Sequence, residues 1–541
     1  MLVRYTRVAR ALARGLATKP EITAESDFAF RKSHIASLPT AEQDARFYPV
    51  YGDLVAGDGA VERVPGFVSR FRPVFAAQPE LRVIGDAKFI LNGKIASIRR
   101  AGKGSMFLDL VQDGQKVQIV ANHKMMGLTN GEFAAWHGQF KPGDYVSCTG
   151  HPGTTNTGEL SLKASERLRL AAPALHPVPP AFRDPGKVYS NRVVDYLANM
   201  RSRDVMVARA RLVSTLRRFL EDHGFMEFAT PILGSGNSGA NATPFTTTSA
   251  HVKNNRDEPM QLSMRVAPEL WLKKLVISGF DKVYEIGPVF RNEGVDATHN
   301  PEFTSCEFYA TFTSLAQTME FTEKLFQKLI AELSTLAICR ERCSWLQQSL
   351  SRNGGEFKKI DCLQQLPLET GRPLPDFSSE ALVQYFQELG LPLPKVRSPQ
   401  KLLDVLVSTY LEPLCQNEPT FLYNLPEVLA PLAKSATKNN FNVSNRFELY
   451  IDGTEIINAY EEENNPFKQA AKFAQQLSAR TQHNDTDAIL PDTAYVEAME
   501  WGLPPTTGWG MGIERAVMFF TACERIDQVL PFGKLPDVLK Q

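Results

Sequence analysis

A proline-rich segment separates two stretches of this chain that differ in hydrophobic periodicity. It reads AAPALHPVPPAFRDPG at residues 171–186, and a linker of this composition is a semi-rigid spacer between domains. Before this segment, apolar and polar residues alternate as in β-strands. After it, segments with apolar residues at helical spacing are interspersed with strand-like segments. We therefore expect a leader at residues 1–20, an N-terminal extension at 21–80, an all-β domain at 81–172, a linker at 173–200 and an α+β domain at 201–541.

The charge balance of the chain limits its function. Sixty Lys plus Arg balance 60 Asp plus Glu, which gives a pI near 7.1. This excludes a generally polycationic coat for nucleic acid, so any polyanion must meet a local patch. A mean hydropathy of -0.23 and the lack of a long uncharged apolar run argue against a membrane-spanning helix. The seven cysteines are scattered without a CxxC pair, which predicts free thiols, a reducing compartment and no structural metal.

The first nineteen residues, MLVRYTRVARALARGLATK, are basic. They contain no acidic residue, and Val8, Leu12 and Leu16 recur at helical spacing. Arginines interrupt every turn, which excludes the unbroken apolar run of a secretory signal. The pattern predicts a mitochondrial presequence and a location in the mitochondrial matrix. The alternative is a basic tail without a targeting role.

Residues 88–124 alternate β-branched and aromatic residues with polar ones. The dipeptides Asn92-Gly93 and Asp113-Gly114 have the composition of tight hairpin turns. Further strand patterns follow at 144–150 and 158–163. A strand-rich unit of this length that closes near Leu170 suits an OB-like barrel.

The same segment is locally basic although the chain is neutral. Its lysines and arginines face only Asp109 and Asp113. Single-stranded nucleic acid needs a cationic groove beside an exposed aromatic ring. We therefore predict that Phe107 stacks on a base and that Gln118 reads one. The alternative is that Phe107 belongs to the barrel core, which is more common for a phenylalanine in a strand.

Beyond the linker, apolar residues at 205, 208, 212, 216 and 219 predict an amphipathic helix that ends at Gly224. The segment FMEFATPIL that follows predicts a strand. Strands with helices between them continue to the C-terminus, which predicts an α+β domain on a mostly antiparallel sheet. Residues 345–400 contain Pro, Gly and short helical patterns, and we interpret them as an insertion without site chemistry.

Residues 283–312 predict a strand, a polar loop and a second strand, whereas a GxxxxGK[ST] loop does not occur in the sequence. Strand alternation sorts the second strand into two faces. The predicted core face carries Thr304, Cys306, Phe308, Ala310 and Phe312. The other face carries Phe303, Ser305, Glu307 and Tyr309. It predicts a pocket floor, because an enclosed carboxylate needs a cationic partner.

The dipeptide Asp452-Gly453 in FELYIDGTEIINAYEEE predicts a two-residue hairpin. Tyr450 would then lie opposite Glu455, and Glu448 would share a face with Glu455. Two adjacent carboxylates favour a divalent cation between them, and Mg²⁺ with nucleotide phosphates suits such hard oxygen ligands. The alternative is a pair of solvated glutamates on an exposed face.

Near the C-terminus, GWGMGIERAVMFF predicts a glycine-rich turn that leads into a helix with Arg515 in its first turn. Gly508, Gly510 and Gly512 would let the backbone approach a ligand closely. Together with Arg291 and the acidic hairpin, this segment places two arginines and two carboxylates around one sheet. That combination is suited to polyphosphate chemistry.

The segments FRNEGVDATHNPEFTSCEFY, GWGMGIER and RFLEDHGFMEFATPIL resemble the three motifs of class II aminoacyl-tRNA synthetases, most closely those of the lysyl type. The resemblance covers about residues 85–345 and 400–535. It includes the barrel, which is similar to the anticodon-binding OB domain of the aspartate, asparagine and lysine subgroup. It implies a class II antiparallel sheet with flanking helices, and an ATP-dependent, homodimeric ligase that uses Mg²⁺, lysine and tRNA(Lys).

The resemblance also implies roles for individual residues. The ATP site would contain the catalytic residues Arg291 and Arg515 with Glu293, His299, Gly510 and Gly512, and the metal would bind Glu448 and Glu455. Lysine would contact Gly239, Glu269, Glu307, Tyr309, Asn458, Tyr460 and Glu462. The anticodon would contact Arg99, Phe107, Gln118 and Glu159.

Several alternatives stay open at this point. Glu461 or Glu462 could be the inward carboxylate. The enzyme could be of the aspartyl or asparaginyl type, although Glu307 and Glu462 suit the ammonium group of a lysine side chain better. A synthetase-like ligase that acts on a protein would lack the barrel. A non-catalytic nucleic-acid-binding protein would be expected to have lost an arginine or a metal carboxylate.

Overall fold

The computed structural model describes residues 24–179, 182–234, 242–254, 256–483 and 491–539. They form two compact units, one up to Pro180 and one from Ala181. The predicted presequence lies outside the described residues. Within the described ranges, no helix combines the length and the apolar composition that crossing a bilayer requires.

The N-terminal extension is helical and shares a core with the barrel. Its elements are α1 (Ala24–Ala36), α2 (Thr40–Phe47), α3 (Tyr51–Val55), β1 (Ala60–Glu62) and α4 (Val64–Ala77). Phe67, Phe71 and Phe75 of α4 are buried in the barrel core. Arg31 of α1 pairs with the buried Asp144 at 2.7 Å. Residues 21–80, where the sequence pattern is weak, are therefore an ordered part of the first unit from Ala24 onward.

The all-β segment forms the predicted OB-like barrel. Its elements are β2 (Phe89–Ala101), β3 (Ser105–Gln112), β4 (Gln115–Asn122), α5 (Asn130–His137), β5 (Tyr145–Thr154), β6 (Leu160–Ala164) and β7 (Arg169–Ala172). The strand order β2-β3-β4-β6-β5 closes through a β2–β5 pairing, while β1 and β7 extend the sheet. Closure of five strands is the architecture of an OB fold.

One predicted turn of the barrel is confirmed and the other is wrong. Asp113 and Gly114 join β3 to β4 with φ of 51° and 74°, the positive values that a type I′ hairpin turn requires. Asn92-Gly93 instead lies inside β2, close to Lys94, which pairs with both β3 and β5. A Cβ on Gly93 would lie 2.8 Å from the carbonyl oxygen of Val111. This glycine therefore permits a close strand contact and does not form a turn.

The helices of the second unit flank its main sheet. They are α6 (Pro185–Ser190), α7 (Arg192–Ala198), α8 (Met200–Asp222), α9 (Glu269–Ile277), α10 (Leu315–Leu333), α11 (Arg340–Arg352), α12 (Cys362–Thr370), α13 (Ser379–Leu389), α14 (Pro399–Tyr410), α15 (Pro466–His483), α16 (Thr493–Met499), α17 (Ile513–Thr521), α18 (Ile526–Val529) and α19 (Leu535–Val538). Short 3₁₀ helices cover Ala337–Cys339, Glu412–Cys415 and Glu427–Leu429. The predicted helix is α8, which buries Val205, Leu212 and Phe219 and ends before Gly224, where φ is 81°.

The strands of this unit are β8 (Met226–Glu227), β9 (Leu233–Gly234), β10 (Thr246–Lys253), β11 (Pro259–Met264), β12 (Lys282–Phe290), β13 (Glu302–Thr311), β14 (Lys358–Asp361), β15 (Thr420–Tyr423), β16 (Ser435–Lys438), β17 (Phe441–Ser444), β18 (Arg446–Ile451), β19 (Thr454–Glu461) and β20 (Thr506–Gly512). The main sheet has the order β14-β15-β18-β19-β20-β13-β12-β8, with smaller sheets β10-β11-β9 and β16-β17. Its interior pairs are antiparallel, and its edge pairs β14–β15 and β12–β8 are parallel. The prediction of an α+β fold with a mostly antiparallel sheet is confirmed.

The strand predicted over FMEFATPIL is much shorter than predicted. β8 covers only Met226–Glu227, and β9 begins at Leu233. The amide of Phe228 still donates to the carbonyl of Tyr284 at 2.9 Å. Pro231 has no N–H group to continue the ladder, which limits pairing in this segment.

The two predicted faces of β13 are present. Cys306, Phe308 and Ala310 are buried in the main core together with apolar residues of α8 and α10, while Glu307 and Tyr309 lie on the opposite face. The prediction was wrong for Phe312. Strand alternation ends at Thr311, and Phe312 has a φ of 51° and a ring that is 74% exposed.

The segment 345–400 is joined to the main sheet by β14, which pairs with β15. Between these two strands, α12, α13 and α14 pack around Leu366, Phe386 and Leu402 as a separate core. Gln400 at the start of α14 lines the cavity described below, so the C-terminal end of this segment reaches that cavity. Its role stays open.

Candidate active site

A cavity of about 740 Å³ lies over the polar face of the main sheet. One row of strand partners across its floor consists of Glu448 on β18, Asn458 on β19, Gly510 on β20 and Glu307 on β13. The next row consists of Tyr460, Gly508 and Tyr309. Since side chains at i and i+2 of a strand share a face, the register alone brings most of the predicted site residues together.

The glycine-rich segment 508–512 is a central strand, β20, and not the predicted turn. Trp509 and Met511 point into the main core, so the glycines between them face the cavity. A Cβ on Gly508 would lie 2.1 Å from Glu462 Oε1, whereas one on Gly512 would be 3.9 Å from its nearest neighbour. The glycines thus leave room for neighbouring side chains and for a ligand. The predicted helix follows as α17.

Two arginines singled out in the sequence line this cavity. Arg291 follows β12, and its guanidinium carbon lies 5.2 Å from the ring centroid of Phe303. Arg515 lies in the first turn of α17 and donates to the carbonyl of Glu455 at 3.0 Å. Guanidinium groups in a cavity of this kind suit phosphate, which they can bind with two parallel hydrogen bonds.

His299 lies at the same end of the cavity and links Arg515 to Asp296. Arg515 donates to Nε2 of His299 at 3.1 Å, and because arginine is only a donor, Nε2 is the acceptor. The other nitrogen, Nδ1, therefore carries the proton and donates to Asp296 at 2.9 Å. Burial alone would raise the pKa of Asp296, but the hydrogen bonds from Thr298 and His299 together outweigh it and lower the pKa to about 2. The carboxylate is thus ionised at neutral pH. Glu293 is exposed at the edge of this end.

The acidic hairpin forms as predicted. Asp452 and Gly453, with φ of 53° and 73°, join β18 to β19, and Tyr450 pairs with Glu455. A β-bulge then shifts the register, so that Glu448 stands opposite Asn458. Both glutamates line the cavity, in agreement with the predicted common face of Glu448 and Glu455.

Arg446 belongs to this group and was missed in the sequence. It pairs with Glu448 and donates from Nε to Oδ1 of Asn458 at 2.9 Å. The hydroxyl of Tyr450 donates to the other oxygen of Glu448 at 3.0 Å. Burial raises the pKa of Glu448 to about 7, with Arg446 opposing the rise and Glu455 adding to it. Arg446 precedes Glu448 by two residues, so strand alternation could have found it.

Glu448 and Glu455 offer the hard oxygen ligands that Mg²⁺ prefers. Across the described residues, no group of three or more His, Cys, Asp or Glu side chains is arranged to hold a metal. An ion between these two glutamates would therefore need further oxygen ligands from a nucleotide and from water, which is the usual binding mode of Mg²⁺ in nucleotide sites. The two carboxylates that face the cavity fit this way of binding Mg²⁺.

The other end of the cavity is acidic and aromatic. Glu269 begins α9 and accepts from the hydroxyl of Tyr460 at 2.7 Å, while the hydroxyl of Tyr309 lies 3.3 Å from Glu307. Burial and repulsion by Glu269 raise the pKa of Glu307 to about 8, although Arg291 and the Tyr309 hydroxyl lower it. An enclosed group of carboxylates and phenols of this kind is suited to a ligand cation.

The inward carboxylate is Glu462, which settles the alternative with Glu461. Glu462 is 1% exposed, lies against Gly508 and pairs with Lys273. Glu461 points the other way, where it accepts the N–H of Leu315 at 3.1 Å. Every second residue of a strand lies on the same face, so Glu462 shares the face of Asn458 and Tyr460. This explains why Glu462, and not Glu461, points inward.

Comparison with known proteins agrees with this site. Residues 185–536 match the family model for tRNA synthetases class II (D, K and N). The chain belongs to this family of class II tRNA synthetases. Residues 89–169 also match the OB-fold nucleic acid binding domain. The expected family and its two-part organisation are confirmed.

Several lysine–tRNA ligases are similar to this class II tRNA synthetase over most of their length. The mitochondrial lysine–tRNA ligase of Schizosaccharomyces pombe is 37% identical over 491 residues, which cover 89% of this chain and 90% of the relative. That of Saccharomyces cerevisiae is 37% identical, with 92% and 91% covered. The lysine–tRNA ligase of Aquifex aeolicus is 36% identical, with 86% and 75% covered.

In this synthetase the strand register of the barrel brings three of the four predicted anticodon residues to one face. Arg99 pairs with Phe107 across β2 and β3, and Gln118 on β4 shares their face by register. Phe107 is half-buried and lies outside the core, to which Met106 and Leu108 belong. Gln118 is buried and accepts from Ser161 Oγ at 3.1 Å. Glu159 is exposed, just before β6. The alternative that Phe107 belongs to the barrel core is therefore excluded, whereas base stacking by Phe107 stays a prediction.

Lys273 contacts two of the predicted site residues, Glu269 and Glu462, and is not among the residues predicted from the sequence. It lies on α9 four residues after Glu269, is fully buried and has its Nζ 2.5 Å from Glu269. The sequence does contain a pattern that indicates its burial. The helical repeat of a buried face includes positions 269, 272, 273 and 276. A lysine in such a position is rare unless it is paired. Gly239, predicted to contact lysine, lies outside the described residues.

Proposed function

We propose that this class II synthetase is a lysine–tRNA ligase. One observation carries the proposal: the cavity that contains Arg291 and Arg515 is also lined by Glu269 and Glu307. Glu462 is buried beside Gly508, which lines the same cavity. The ε-ammonium of lysine has a pKa of about 10.4 and enters the pocket charged. Carboxylates around it offset the cost of removing it from water. The carboxylate of an aspartate would instead be repelled.

The reaction follows from this arrangement in two steps. The carboxylate of lysine attacks the α-phosphorus of ATP, which forms lysyl-adenylate and releases pyrophosphate. A terminal hydroxyl of tRNA(Lys) then attacks the carbonyl carbon, and AMP leaves. No protein nucleophile is needed, so the chain contributes positioning and fixed charge.

Individual residues take the following roles in the proposal. Arg291 binds the α-phosphate, and Arg515, oriented by His299, binds the distal phosphates beside Gly510 and Gly512. Glu269 binds the α-ammonium of lysine. The pocket formed by Glu307, Tyr309, Asn458, Tyr460 and Glu462 takes the side chain. The support is their hydrogen-bonding chemistry and the common cavity that all of them except Glu462 line. Glu462 is buried beside Gly508, which lines that cavity.

Glu448 and Glu455 would hold Mg²⁺ between themselves and the phosphates of ATP. When bound, the ion supplies positive charge that polarises phosphate oxygens. The task of the chain is to keep both carboxylates facing the cavity. Arg446 and Tyr450 do this for Glu448 by hydrogen bonding.

The barrel would bind the anticodon of tRNA(Lys) through Arg99, Phe107, Gln118 and Glu159. A ring that lies beside an exposed arginine on the outer face is suited to base stacking next to a phosphate. The match of this region to a nucleic-acid-binding OB fold supports the same role.

We further propose a homodimer in the mitochondrial matrix. Exposed apolar side chains on α7 and α8 support a second copy as partner: Val193, Leu197, Met200 and Val207. The basic leader supports import, as does the likeness to mitochondrial ligases of two yeasts. Sedimentation of the purified protein tests the dimer, and a fusion of the leader to a reporter tests the location.

ATP–pyrophosphate exchange tests the activity. Protein that lacks about twenty N-terminal residues is assayed against each of the twenty amino acids. We expect exchange with lysine alone. Exchange with aspartate or asparagine, or none, would refute the pocket assignment. Transfer of lysine to tRNA(Lys), and not to a protein acceptor, separates this activity from that of a synthetase-like protein ligase.

A further inference from the structure

Lys273 is a buried lysine of the chain itself, directly behind the pocket proposed for the substrate lysine. Its Nζ lies 2.5 Å from Glu269 and contacts Glu462. Three rings surround it, with centroids 6.0 Å, 5.7 Å and 5.6 Å from Nζ in Tyr309, Tyr460 and Tyr495. An ammonium group is costly to bury unless it is closely paired, so this position needs an explanation.

The formal charges around the pocket explain why a lysine is buried at this position. Once lysine binding has ionised Glu307, the carboxylates of Glu269, Glu307 and Glu462 carry three formal negative charges and Lys273 one positive charge, which leaves two negative charges. Lysine brings two ammonium groups to this end of the cavity, while its carboxylate faces the phosphates. The two remaining charges therefore match the substrate. Without Lys273, one buried carboxylate would remain uncompensated after lysine binds.

We propose that Lys273 is a positioning residue that sets the charge of the amino-acid pocket. It neutralises one carboxylate and holds Glu269 and Glu462 in place for the two ammonium groups of the substrate. The inference rests on the proposed function, because it concerns the same pocket.

The charged surroundings of Lys273 give this role a pH signature. The groups that face Lys273 and its two carboxylates are Glu307, Tyr309, Tyr460 and Tyr495. Burial alone would lower the pKa of Lys273, but Glu269 and Glu462 outweigh it, and the pKa is raised above its usual value. Burial raises the pKa of Glu462, and Lys273 opposes that rise. Removal of the Lys273 charge therefore raises the pKa of Glu462 further and leaves less ionised carboxylate at neutral pH.

The test compares Lys273→Met with Lys273→Arg in ATP–pyrophosphate exchange between pH 6.5 and 9. Removal of one partner of a buried ion pair leaves the other charge uncompensated, so we expect K273M to raise the KM for lysine about tenfold or more at pH 7. The KM for ATP should change little, and the lysine defect should shrink as the pH rises. K273R keeps the positive charge and should retain a KM for lysine closer to that of the wild type.

A lysine KM of K273M within about twofold of the wild type across this range would overturn the inference. So would a pH-independent loss that affects lysine and ATP equally, which is the signature of a purely structural role. If K273M does not fold, K273M/E462Q replaces it. This double variant removes both charges, and we expect it to regain the thermal stability that K273M lacks; failure to do so would also overturn the pairing. Wild-type protein without lysine-dependent exchange would refute the proposed function itself.

Discussion

Replacement of Gly508 by alanine tests the geometry of the amino-acid pocket most directly. An added Cβ would lie 2.1 Å from Glu462 Oε1 and 2.6 Å from Cε1 of Tyr309, although real Cβ contacts essentially never fall below 3.0 Å. Glu462 would have to move by 0.9 Å or more, the difference between 3.0 and 2.1 Å. It is 1% exposed and paired with Lys273, so a movement of this size disturbs a buried ion pair.

The expected effect follows from that displacement. Overpacking of a buried site costs about 1–3 kcal/mol of stability, and a misplacement of about 1 Å at a reacting or binding group costs on the order of 100-fold in activity. We expect Gly508→Ala to raise the KM for lysine on this scale while the KM for ATP stays nearly constant. The assay is ATP–pyrophosphate exchange with each substrate varied in turn, with thermal unfolding measured in parallel.

Gly512→Ala is the matched control on the same strand and the same face. A Cβ there would be 3.9 Å from its nearest neighbour, a carbon of Arg515, so the pocket for lysine stays intact. Its methyl group faces the phosphate end, and we expect a raised KM for ATP with a normal KM for lysine. Equal losses for both substrates in both variants, or a normal lysine KM in Gly508→Ala, would refute the geometric reasoning.

Three further predictions test other parts of the molecule. Arg291→Ala should slow pyrophosphate exchange by about 2.7–4 kcal/mol in activation free energy with an unchanged circular dichroism spectrum; near-normal exchange would exclude a role at the α-phosphate. Glu307 has a pKa of about 8 in the empty pocket, so at pH 7 about nine-tenths of it is protonated. Lysine binding should then release close to one proton and tighten as the pH rises toward 8. Calorimetry in two buffers that differ in ionisation enthalpy measures this release, and Glu307→Gln should abolish it; a buffer-independent heat in the wild type would contradict the assignment. Phe107→Ala should weaken aminoacylation of tRNA(Lys) by about 1–3 kcal/mol in kcat/KM while leaving pyrophosphate exchange unchanged, and parallel losses would place Phe107 outside the anticodon site.

Residues on one strand or one hairpin could be placed from the sequence alone. Strand alternation has a period of two residues, so Glu307 and Tyr309 had to share a face. The Asp452-Gly453 turn determined that Tyr450 faces Glu455. The predictions succeeded here because the information is local. The bulge that moves Glu448 opposite Asn458 is not encoded in the turn, and only the folded sheet reveals it.

Glycines were the main source of error, because the same residue serves two different physical needs. Asp113-Gly114 is a turn, where glycine permits a positive φ. Gly93 and Gly508 lie inside strands, where glycine permits a close approach of Val111 and Glu462. A close approach inside a sheet depends on neighbours that are distant in sequence. Local sequence patterns therefore cannot distinguish such a glycine from one that forms a turn.

Lys273 combines a local signal with a distant partner. Helical spacing from Glu269 places it on the buried face of α9, which could be read from the sequence. Its second partner, Glu462, follows a strand of the main sheet almost two hundred residues later. A lysine on a buried helical face nevertheless requires acidic partners, since an unpaired ammonium cannot remain charged there. The three inward glutamates should therefore be counted together with this lysine. The charge available to a substrate is then two negative charges, which is the number that the ammonium groups of a free lysine require.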